Sequence, residues 1–100
     1  MNAVNVTLED VLVKNTSIVS RRIAGEAVLV PIRKNVADLD SIYTLNDSGA
    51  AIWEHIDGSR SLRQVLASLV EEFEVEEDQA RQDMLELVVE LVSIGALEKR

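Results

Sequence analysis

Apolar residues recur along this chain with two different periods, and the change falls near residue 46. Upstream of it, short stretches rich in β-branched residues are separated by turn-forming ones. Segments 17–23, SIVSRRI, and 26–32, EAVLVPI, read as strands with Ala24-Gly25 between them. The pair predicts a hairpin, although Ala-Gly is a weaker turn signal than Asn-Gly. Pro31 has no N–H to give a ladder, so it belongs at a strand end or on an edge. Residues 33–40 are polar and predict a loop. Segment 41–45, SIYTL, predicts a short third strand, with Ser41, Tyr43 and Leu45 on one face and Ile42 and Thr44 on the other.

Downstream the period becomes helical. Asn46 is placed to cap a first helix over about 47–56 that buries Ala51, Ile52 and Ile56, with Gly58 as its stop. Ser61 followed by Gln64 has the form of a capping box. Leu62, Val65, Leu66, Leu69, Val70 and Phe73 then keep the spacing of an amphipathic helix without a miss. A third helix is predicted from about Glu76 to Gly95, its opening acids Glu76, Glu77 and Asp78 suiting the positive end of the helix dipole. At about 100° per residue, Ala80, Met84, Leu87, Val88, Leu91 and Ile94 fall on one stripe, the predicted core face. Leu85, Val89 and Val92 form a second apolar strip beside it, while Gln82, Asp83, Glu86, Glu90 and Ser93 take the opposite arc. A helix covering a small core needs only the first stripe, so the second needs a cover. That cover is the N-terminal segment, a second copy of the chain, or an extended peptide lying beside an exposed strand edge.

Length and composition narrow these options. One hundred residues make one domain, and an aromatic content of 3% requires an aliphatic core. No apolar run is long enough to cross a bilayer. The opening MNAVNVTLEDVLVKNTS has no basic n-region, so it does not read as a signal peptide. A cytoplasmic protein is expected. The net charge of -8 is uneven: residues 1–50 hold five Lys and Arg against six Asp and Glu, and residues 51–100 hold five against twelve. Nucleic-acid binding needs a basic surface, and the helical half has the opposite sign.

Candidate chemistry is sparse. The absence of cysteine removes disulfides, thiolate metal sites and cysteine nucleophiles. The single histidine, His55, has Glu54 beside it in sequence but on a different helix face, so it reads as a surface residue. The acidic run EEFEVEED lacks the alternation and glycine of a calcium loop. The four glycines form no phosphate-binding pattern, and no serine sits in a nucleophile elbow. Trp53 reads as a core anchor and Arg21-Arg22 as surface charges on opposite sides of a strand. No catalytic residue, metal or cofactor is expected.

The block YTLNDSGAAIWEHIDGSRSLRQVLASLVEEFEV resembles the PqqD-like family, named for pyrroloquinoline quinone biosynthesis protein D. The resemblance rests on Leu45-Asn46, Ala51-Ile52-Trp53, Asp57-Gly58 before a capped helix, the closing Ile94-Gly95-Ala96-Leu97, and upstream Ala27 to Pro31. It implies an α+β, winged-helix-like domain over about 17–98, with a three-stranded antiparallel sheet followed by three helices. Residues 1–16 become an N-terminal extension, free to move. The implied function is a non-enzymatic peptide-recognition domain. The leader of a ribosomally made precursor adds as a strand at Ser41, Ile42, Tyr43 and Thr44, against a helix wall of Arg81, Leu85, Val89 and Val92. The implied enzyme partner is a radical S-adenosylmethionine protein, served by a monomer or weak homodimer. The loop 33–40 is longer than a minimal connection, and the acidic helical half points to a peptide carrying Lys or Arg. Two other readings stand beside this one: a winged-helix DNA-binding regulator, and an adaptor that dimerises through the second strip.

Overall fold

A computed structural model describes residues 5–31 and 43–100, so Ser41, Ile42 and the loop 33–40 lie outside the described residues. The elements are β1 (Leu12–Lys14), β2 (Ile18–Ile23), β3 (Glu26–Pro31), β4 (Tyr43–Leu45), α1 (Asp47–His55), α2 (Leu62–Phe73), α3 (Glu77–Ser93) and β5 (Leu97–Lys99). The expected α+β arrangement is present: an antiparallel sheet in the order β2-β3-β4, then three helices.

The hairpin joining β2 and β3 is a two-residue loop, because Ile23 pairs with Glu26 across it. Ala24 and Gly25 both take positive φ, 52° and 86°, as the turns that match strand twist require. Glycine does this freely, whereas Ala24 holds a left-handed conformation that its Cβ opposes by about 1 kcal/mol. Pro31 ends β3, where it breaks no interior ladder bond. Ala27, Leu29 and Leu45 are buried on the sheet's inner side, beneath the helices.

The helix signals act where they were expected. The Asn46 side chain accepts from the Gly49 amide 2.9 Å away, and both bonds of the Ser61–Gln64 capping box are made. Helix α1 stops at His55, one residue before the expected end, so Ile56 is buried as an extended residue instead. Leu62, Val65, Leu66 and Leu69 of α2 meet Met84, Val88 and Leu91 of α3 in the core. Trp53 is buried among them as a core anchor, with the Lys14 ammonium 5.1 Å from its ring centroid. Burial holds the Lys14 pKa below the usual lysine range, partly opposed by Glu54 and Asp57.

The structure adds a second sheet. Residues 12–14, within the segment read as an N-terminal extension, form β1 and pair antiparallel with β5. Leu12 and Leu97 are both buried in the core. Backbone bonds secure the segment from both sides: Leu62 donates to Asp10, Arg63 to Leu8, and Arg100 to Val11. Asn15 completes the clasp, its side chain donating to the Gly95 carbonyl at 2.9 Å while its oxygen accepts from Ser17.

Candidate functional site

One edge of β4 pairs with β3, and no strand covers its other edge among the described residues. That edge opens on a cleft of about 500 Å³ between β4, the start of α1 and α3. Tyr43, Thr44 and Leu45 form one wall, Ile52 lies at the base, and Asp83 and Leu87 come from α3. The volume suits a few side chains of an extended segment.

Local sequence explains the shape. Asn46 ends β4 and starts α1 within one residue, so strand edge and helix start share the cleft. Gly49 allows the close approach beneath it. A Cβ there would stand 3.2 Å from the Asn46 side-chain oxygen, 3.3 Å from a Leu87 methyl and 3.4 Å from Leu45 Cβ. With no side chain at 49, Leu87 settles against α1 and becomes part of the cleft wall. Tyr43 lies between sheet and helix: burial and, after it, the nearby Glu90 carboxylate push its pKa up to about 12. The phenol therefore stays neutral at neutral pH, beside the Glu90 carboxylate. Asp83 and Glu90 give this side of α3 a negative character, with Asp83 also accepting from Gln79 at 3.0 Å.

The sequence-predicted site residues separate into groups. Tyr43 and Thr44 line the cleft. Ser41 and Ile42 lie outside the described residues. Arg81, Leu85, Val89 and Val92 do not line it. At about 100° per residue they fall roughly 160–240° around α3 from Asp83, on the far flank of the helix. Leu85 and Val92 pack against the core there, which supplies the cover their strip required. Arg81 is exposed and paired with Asp78 at 3.4 Å. The residues that do wall the cleft from α3 are Leu87, assigned by periodicity to the core, and Asp83, assigned to solvent. The signal that could have found them is the small Gly49, which leaves room at the one place where α1 meets the strand end.

Other polar groups serve packing. His55 is 3.0 Å from Glu72 and joins α1 to α2 at the surface. Arg22 pairs with Glu54 and lies 3.8 Å from Asp47, joining β2 to α1. Among the described residues no group of His, Asp or Glu is placed to hold a metal ion, and no helix is long and apolar enough to cross a membrane.

Comparison with known proteins gives two matches. The family model described as coenzyme PQQ synthesis protein D (PqqD) matches residues 26–97. A solved structure titled "TbiB1 in Complex with the TbiA(beta) Leader Peptide" superposes with a TM-score of 0.71 at 19% identity, covering 86% of this chain and 94% of that one. A search of curated proteins gave no match. At that identity the structural likeness shows the fold, whose sheet and helices the two chains share.

Proposed function

This chain belongs to the PqqD family, and we propose that it is a non-catalytic peptide-binding domain that takes up its peptide as a strand added to β4. The observation that carries the reading is the β4 edge, unpaired among the described residues and bordered by the α3 cleft. An extended peptide there satisfies the edge's backbone groups, and its alternate side chains enter the cleft. Each new main-chain bond contributes only about 1 kcal/mol net, so side chains in the cleft set the specificity. Tyr43 and Thr44, with Ser41 and Ile42 extending the edge, form the strand side, and Asp83 and Leu87 the helix side. The negative side of α3 favours Lys or Arg in the peptide.

The structural neighbour's leader-peptide complex supports the same class of ligand: the leader of a ribosomally made precursor. In this reading the domain carries out no bond chemistry. It holds the leader so that a radical S-adenosylmethionine enzyme meets the remainder of the precursor, and family membership supports that partner.

The test is titration of isotope-labelled protein with synthetic leaders of the precursors encoded beside its gene, read by amide shifts. Saturable shifts at Tyr43, Thr44, Asp83 and Leu87 are expected. A leader that binds while leaving all four unmoved would overturn the site.

A further inference from the structure

A second pocket, of about 200 Å³, opens beside the cleft at the start of α3. Ile52, Leu69, Phe73, Val75 and Ala80 line it, so its interior is apolar. Ser48, Ile52 and Asp83 belong to both this pocket and the cleft, so the two are continuous. Leu69 and Ile52 are buried at its base, whereas Val75 is 43% exposed at its rim. A single exposed valine is ordinary; a concave apolar pocket continuous with a strand edge and bordered by a carboxylate is a place for a side chain.

We propose that this pocket reads one bulky apolar residue of the bound peptide, with a Lys or Arg of the peptide beside it against Asp83. The inference rests on the strand-addition reading and deepens it. The volume accommodates one large side chain and is too small for a separate ligand. Asp83 stands where cleft and pocket meet, so an incoming chain passes a negative charge on its way to an apolar space. Taken in space from cleft to pocket, those environments fit a cationic side chain and then an apolar one.

The helix sets the spacing. From Glu90, beside Tyr43, to Ala80, in the pocket, α3 runs ten residues, about 15 Å at the helical rise. An extended peptide covers that distance in about four to five residues. Both pairs of this sheet are antiparallel, and a strand added to β4 in the same sense runs away from the pocket, because β4 runs toward it. The apolar residue therefore lies N-terminal to the paired segment, about four residues before the one beside Tyr43.

The experiment uses the full chain and three synthetic nonapeptides with blocked ends: TFTKTVTVT, the same peptide with serine replacing phenylalanine, and the same with glutamate replacing lysine. The first should shift amides at Tyr43 to Leu45 and also at Leu69, Phe73 and Ala80. The serine peptide should shift only the strand set and bind at least tenfold more weakly, and the glutamate peptide should also lose affinity. Ala80→Trp fills the pocket and should reduce the phenylalanine peptide to the serine peptide's affinity. Val75→Lys, at the exposed rim, repeats this test if the tryptophan disturbs folding. Strand shifts with equal affinity for phenylalanine and serine peptides would overturn the pocket and leave strand addition standing. No shift at Tyr43 to Leu45 with any peptide would overturn both.

Discussion

β1 and β4 are both three-residue strands, yet their surroundings are opposite. β1 pairs with β5, and the residues flanking it are bonded to the first turn of α2 and to the last residue of the chain. β4 is paired on one edge only among the described residues, and its other edge faces a cleft. Three residues of strand are too few to be stable by themselves, so each takes its character from its neighbours. Where the residues leading into it are bonded to the start of a helix, the strand is a clasp that holds the fold together. Where one side stays open beside a helix, the same length of strand is a template for another chain.

The contrast predicts that damage to the clasp reads as lost stability and damage to the open edge as lost binding. Leu12 is only 1% exposed, so Leu12→Ala leaves a cavity under β1 and should cost about 2–5 kcal/mol. Thermal unfolding followed through the buried Trp53 measures it. Peptide affinity measured well below the new midpoint should be unchanged. A loss below 1 kcal/mol would show that β1 does not close the core.

A paired substitution tests the open edge. Leu87→Lys places a charge in the cleft wall and should weaken peptide binding tenfold or more, about 1.4 kcal/mol. Val89→Lys, on the other flank of α3, should leave affinity within about twofold, below 0.5 kcal/mol. Isothermal titration on both variants decides which flank forms the wall. If Val89→Lys is the damaging change, the wall lies on the strip that hydrophobic periodicity singled out.

That pair also marks how far the sequence could be read. From Asn46 onward the helices were legible: α1 and α2 begin with capping residues, and the Leu62 to Phe73 series keeps unbroken helical spacing. The hairpin was legible from Ala24-Gly25 between two apolar runs. β1 and β5 were not, because three residues are too few to show a period and each strand exists only through the other. The strand wall of the cleft was legible in Tyr43 and Thr44. Its helix wall was not, for a geometric reason. Two flanks border the core stripe of α3, and periodicity does not say which one meets the sheet edge. Leu85 and Val92 looked available because they are apolar, and the fold uses them in packing. Leu87 looked internal because it lies on the core stripe, and Gly49 leaves it at the cleft.

The single tyrosine makes the strand-to-helix link directly observable. Absorbance titration should give a midpoint of about 12, above the usual phenol value, with burial as the main cause and Glu90 adding to it. Glu90→Gln removes the charge and should move the midpoint down toward 10. The stability linkage has a definite sign. Because the folded pKa is raised, the native state holds this proton more tightly than the unfolded chain. Its contribution is complete below the unfolded pKa near 10 and is lost as pH rises through about 12. A midpoint near 10 in the native protein would mean that Tyr43 is not held against α3.

The smallest effect is expected at the hairpin turn, whose two residues do not line the cleft. Ala24 takes a φ of 52° in a turn whose two central residues are both left-handed, a conformation asparagine tolerates better than alanine. Ala24→Asn should therefore stabilise the protein by about 0.5–1 kcal/mol, raising the unfolding midpoint by a few degrees. Leucine at the same position should act in the opposite direction. β3 pairs both with the hairpin partner β2 and with β4, so this variant also tests whether steadying one edge of the sheet affects the other. Unchanged peptide affinity in Ala24→Asn would show that the β4 edge is set by its own cap and cleft, through Asn46, Gly49 and Leu87. A gain in affinity equal to the gain in stability would instead mean that the whole sheet must order before the edge can accept a strand.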